Sequence, residues 1–188
     1  MEEKYSYEDA VRYLKFYSSY IANKQPMLGP LNVNYDEHDS DMYYKGALML
    51  HTLRLAIEDD KLWWDLLKSF YKNNTHSNVV TADYINLVEE KTGKNWDYFF
   101  DQYLKHAEIP TLELRVKTKR KKTTISYRWK ANVENFELPI FIKTKDGKSL
   151  KLTPNTKEWQ STNVNSKDLD NPNFIQPKFG LFEVALSK

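Results

Sequence analysis

Two periodicities divide the chain. Up to Pro110 the apolar residues recur every three to four positions, the spacing of one helix face. Beyond it they alternate every second position, the spacing of a half-buried strand. In the first stretch Tyr7, Val11, Leu14, Tyr17 and Ile21 mark one helix, and Ser6 followed by Asp9 resembles a capping box at its start. Pro26 and Pro30 break the pattern, and a polar, acidic loop runs on to Ser40. A second helix is expected where Tyr43, Ala47, Leu50, Leu53, Arg54 and Ile57 fall on related faces. A third begins near Lys61, carries Leu62, Trp63, Leu66, Leu67 and Phe70, and ends at Asn73-Asn74. Thr81 is the expected N-cap of a fourth, with Ile85 and Val88 inward and Gly93 as its stop. Asn95 is expected to cap a fifth, which holds Trp96, Phe99, Phe100 and Leu104.

After Pro110, Leu112, Leu114 and Val116 alternate with Glu113, Arg115 and Lys117, and Ile125, Tyr127 and Trp129 repeat the pattern. Phe136 to Lys143 reads as a strand, and Asp146-Gly147 is a hairpin signal before Leu150 and Leu152. Lys157 to Val164 and Leu181 to Leu186 complete about six short strands. The expected fold class is therefore α+β: an N-terminal segment of about five helices, residues 1–110, followed by a small antiparallel β-sandwich, residues 111–188.

Charge changes sign where the period changes. Residues 1–110 carry 12 Lys/Arg against 18 Asp/Glu, and residues 111–188 carry 16 against 8, within an overall net charge of +2. That split supports two units. The cluster of Arg115, Lys117, Lys119, Arg120, Lys121 and Lys122 near Tyr127 and Trp129 raises a nucleic-acid partner. The aromatics alternate inward, however, and Lys119 to Lys122 reads as a solvated turn between two strands, so no nucleic-acid partner is expected. No stretch approaches the roughly 18 apolar residues of a membrane helix. Met1-Glu-Glu-Lys shows no apolar leader, and the compartment stays open.

The chain has no cysteine, which removes disulfides, thiolate zinc sites and thiol catalysis. Its histidines are His38, His51, His76 and His106, and no two lie four residues apart, the spacing that puts two rings on one helix face toward zinc. A zinc site wholly within the chain is not expected, and His51 reads as a packed or surface histidine. No Gly-x-Ser-x-Gly occurs, and with five glycines no phosphate-cradling loop is formed.

The informative run is Tyr43-Tyr44-Lys45-Gly46-Ala47-Leu48-Met49-Leu50-His51-Thr52-Leu53-Arg54. A glycine inside a helix costs about 1 kcal/mol relative to alanine. Close approach of a neighbouring element is the usual reason for one at Gly46, while Lys45 reads as solvent-facing. Tyr43 would sit in the opening turn, at the positive end of the helix, where developing negative charge is stabilised. A tyrosine hydroxyl is protonated at neutral pH and can donate to an oxyanion. From the residues alone, a packed core position for Tyr43 outweighs that role.

The run resembles the Tyr-x-Lys-Gly-Ala motif of the aminopeptidase N family of zinc aminopeptidases, with the motif tyrosine falling on Tyr43. Asp59-Asp60-Lys61-Leu62-Trp63-Trp64, Val79-Val80-Thr81-Ala82-Asp83-Tyr84, Gly93 through Phe99-Phe100-Asp101-Gln102-Tyr103, and Ile109-Pro110-Thr111-Leu112 follow in the family's order. The resemblance covers residues 5 to 115 well and the strand region more loosely. It implies a parent enzyme that removes N-terminal residues from peptides, and Tyr43 as the donor that stabilises the tetrahedral oxyanion. Zinc would be held by an upstream part of the same polypeptide, through an H-E-x-x-H helix and a glutamate this sequence lacks, so the chain alone would be inactive. Glu58 stands where the family often has glycine, and Tyr103 where it often has tryptophan. The rival expectation is a non-enzymatic interaction module, an acidic helical unit joined to a basic sandwich, with aromatics that suggest carbohydrate contacts even though most fall inward.

Overall fold

A computed structural model of the chain describes residues 2–29 and 39–187. Among these, five helices precede six strands: α1 Tyr7–Ser18, α2 Asp41–Ile57, α3 Asp60–Asn73, α4 Thr81–Thr92, α5 Asp97–Lys105, then β1 Thr111–Lys119, β2 Lys122–Lys130, β3 Ile140–Lys143, β4 Ser149–Leu152, β5 Gln160–Asn165 and β6 Glu183–Ser187. The class is α+β, helices first. Most of the acidic loop before Ser40, including His38, lies outside the described residues.

Local signals place most boundaries. Ser6 caps α1, its Oγ accepting the Asp9 amide hydrogen at 3.1 Å. Asp59 caps α3 in the same way through the Leu62 amide. Gly93 ends α4 with φ +66°, the left-handed conformation that glycine adopts without a Cβ penalty. Two expected caps are displaced by one residue. The N-cap of α4 is Val80, whose amide is bound by the Asp83 carboxylate at 2.8 Å. That of α5 is Trp96, held by Glu89, while Asn95 Oδ1 accepts the Asp97 amide.

The four-stranded sheet has the order β5-β2-β1-β6, and β3 and β4 form a separate hairpin. β1 and β2 pair antiparallel from Thr111↔Lys130 to Lys119↔Lys122, so Arg120 and Lys121 are the turn expected there, with Arg120 at φ +54°. The Asp146-Gly147 turn joins β3 to β4 as expected. The strand expected from Phe136 is shorter, beginning at Ile140. One pairing corrects the expected antiparallel arrangement: β6 runs parallel to β1, with Val184 opposite Leu112. Alternation reveals a strand but not the direction of its partner.

The buried side chains of helices and strands form one cluster. At its centre Tyr103 of α5 packs on Phe99 and Phe136, and Phe136 meets Trp129 of β2 edge-on. Gln102, fully buried, spends all its polar capacity at the crossing from helices to strands. Its Nε2 donates to Glu108 O and Asn132 Oδ1, and its Oε1 accepts the amides of Asn132 and Val133. α1 is different: no residue of it is fully buried, the expected face of Tyr7, Val11, Leu14 and Tyr17 is half-buried, and Tyr13 and Phe16, with Tyr20 just beyond the helix, are exposed. Tyr17 of this helix and Tyr20 in the turn after it pack on Tyr44 of α2, with centroids 5.0 and 5.3 Å apart.

Candidate active site

α2 carries the informative run, and its two sides differ. Tyr43 lies in the first turn, its amide donating to Ser40 O at 3.0 Å, and is 70% exposed. The core position that the pattern alone favours is thus not the one observed. Gly46 is half-buried and Ala47 exposed, and with Tyr43 they form one open stripe at helical spacing. Apart from its chain neighbours and the backbone of its own helix, no described atom lies within 4 Å of a Cβ built on Gly46, so no described element makes the close approach expected there.

Lys45 corrects the sequence expectation most sharply. It is fully buried, not solvent-facing. Its Nζ donates to Ala107 O at 2.5 Å and to His106 O at 3.2 Å, the carbonyls just past the end of α5. Burial pushes the ammonium below its usual range, and the nearby charges of Asp41, Asp39 and Glu108 act in the opposite direction. A buried cation stands only when it is paired, and two carbonyls with neighbouring carboxylates do that here. Asp41, one helical turn earlier, is also buried; its carboxylate accepts the amides of Ala22 and Asn23 at 2.7 and 2.8 Å.

Further along α2, His51 Nε2 is 3.2 Å from Phe179 O, and burial lowers the affinity of its ring for a second proton. It is a packed histidine, one of the two readings the sequence leaves open for it. Arg54 forms a bidentate pair with Glu2, donates to Asp60, and lies over the rings of Tyr7 and Trp64. α2 ends at Glu58, with φ +61° and its carboxylate paired to Lys151. Glycine would satisfy that backbone without strain; here a glutamate occupies it.

Among the described residues, no group of three or more His, Cys, Asp or Glu side chains is arranged to hold a metal ion. No described helix is long and apolar enough to cross a membrane.

No family model and no curated protein matches the chain. Among solved structures, that of Legionella pneumophila aminopeptidase A in complex with aspartic acid matches with a TM-score of 0.63 and 15% identity, over 95% of this chain and 23% of that one. At that identity the likeness is one of fold, and the chain spans less than a quarter of that protein's length. The helices and strands described above thus have the fold of one stretch of an aminopeptidase.

Proposed function

We propose that this chain is part of a zinc aminopeptidase of the aminopeptidase N type, and that Tyr43 supplies the hydrogen bond that stabilises the tetrahedral oxyanion during peptide hydrolysis. The observation that carries this is the exposure of Tyr43 at the positive end of α2, within a Tyr-x-Lys-Gly-Ala run, in a chain with an aminopeptidase stretch's fold. An outward phenol can meet a substrate carbonyl; a packed one cannot. Its O–H donates most strongly when the oxygen it faces becomes negative, so its effect falls on turnover more than on binding.

Zinc and the peptide's amino terminus would be held by an upstream part of the same polypeptide. The open stripe of Tyr43, Gly46 and Ala47 is suited to that neighbour, because small side chains let another backbone come close. The proposal is tested on the intact polypeptide. Release of N-terminal residues that is abolished by chelation, and absent from the isolated 188-residue chain, supports it. Peptide hydrolysis by the isolated chain contradicts it.

A non-enzymatic interaction module is favoured by one observation, the exposed aromatics Tyr13 and Phe16 of α1 and Tyr20 just after it. Such a module would be indifferent to removal of the Tyr43 hydroxyl.

A further inference from the structure

Lys45 stands in the same run as Tyr43 but faces the other way, and oxyanion stabilisation gives it no task. We infer that Lys45 is the positioning residue of Tyr43: by gripping the carbonyls of His106 and Ala107 it fixes the opening turn of α2, and through that turn the location of the phenol. This rests on Tyr43 being the oxyanion donor.

The geometry supports it in three steps. Tyr43 is 70% exposed, so its own packing does little to locate its hydroxyl; the backbone of its turn must do so. That turn is tethered on two sides. Asp41 holds it to the amides of Ala22 and Asn23 after α1, and Lys45 holds it to the end of α5. Residues 41 and 45 are one turn apart and share a face. Tyr43 lies about 200° around the helix from each, at about 100° per residue, so fixing the inner face aims the outer one. A buried lysine is a costly way to fill space, and methionine would pack with similar length without a charge to desolvate. What lysine adds is directed binding of two carbonyls that belong to another element.

The test is a double-substitution cycle in the intact polypeptide, with kcat and KM determined for Lys45→Met, Tyr43→Phe and the pair. Displacing a catalytic group by about 1 Å can cost roughly a hundredfold in rate. Lys45→Met is expected to lower kcat by a factor of that order with KM nearly unchanged, and to have no further effect in the Tyr43→Phe background. Lys45→Arg, which keeps a donor, should recover part of the loss, and it carries the same comparison if Lys45→Met does not fold. In the isolated chain, the amides of Tyr43 and Tyr44, both bonded to Ser40 O, should exchange hydrogen faster in Lys45→Met. Wild-type kcat in Lys45→Met beside a crippled Tyr43→Phe overturns the inference. So does a loss that persists undiminished in the Tyr43→Phe background, the mark of a merely structural lysine. Wild-type kcat in Tyr43→Phe itself instead removes the oxyanion role, and the positioning role with it.

Discussion

Thr52 Oγ1 accepts the amide hydrogen of Leu181 at 2.8 Å, a bond that joins α2 to the approach to β6 across 129 residues. The same short segment is held twice more. His51 meets Phe179 O, and the buried hydroxyl of Tyr103 donates to Leu181 O at 2.6 Å. Gly180 lies between these bonds, and a Cβ there would stand 2.7 Å from the Phe182 ring. The helix that carries Tyr43 is therefore fastened to the last strand as well as to α5. Disturbance at the far end of the sequence is expected to reach it.

Thr52→Val keeps the side chain's shape but removes the acceptor, leaving the Leu181 amide buried without it. The expected loss is about 1–3 kcal/mol in a denaturant melt. Tyr103→Phe removes the partner of the other polar atom of the same residue. The two losses should not add, because both act on the Leu181 peptide segment. Additive losses would show that the two bonds are independent.

At Glu58 the backbone is left-handed, which costs a side-chain-bearing residue roughly 1–2 kcal/mol. Its pair with Lys151 is partly solvent-exposed and is worth about 1 kcal/mol or less. Glu58→Gly should therefore be more stable than Glu58→Ala by about 1 kcal/mol, since both lose the pair and only glycine relieves the strain. Equal stability of the two variants would count against a strained turn.

His51 makes stability depend on pH in a defined direction. Burial holds its folded pKa below the usual 6.5, so the unfolded chain takes up the proton first. Its contribution is complete above about pH 6.5 and is lost as pH falls from there through the folded value. The melting temperature is expected to drop as pH falls below about 6.5, before the more acidic range in which Glu2 and Asp60, both lowered by Arg54, are protonated. His51→Gln, which can still donate to Phe179 O, should flatten that slope. An unchanged slope would assign it to other groups.

Features decided within a few residues were legible in the sequence. Ser6 with Asp9, Gly93, the Arg120-Lys121 turn and Asp146-Gly147 all act where local pattern places them. Features that depend on distant partners were not. A lysine in an amphipathic run is ordinarily assigned to solvent, and nothing near Lys45 reveals two carbonyls more than sixty positions away waiting for a donor. The parallel addition of β6, and the bonds that Thr52 and Tyr103 make to Leu181, are hidden for the same reason. At Tyr43 periodicity pointed inward while the resemblance to the Tyr-x-Lys-Gly-Ala motif pointed outward. The helix faces outward there because its inner side is occupied by Asp41, Lys45 and Leu48.

Turnover by the intact polypeptide with and without the Tyr43 hydroxyl is the most direct measurement of the central claim. Tyr43→Phe removes one oxygen from an exposed ring, so the melting temperature should stay where it is. Loss of a single oxyanion donor costs about 10²–10³ in kcat, and a fall of that order with little change in KM is the expected result. A variant that turns over peptide as fast as the unaltered polypeptide would contradict the proposed assignment of Tyr43 to catalysis.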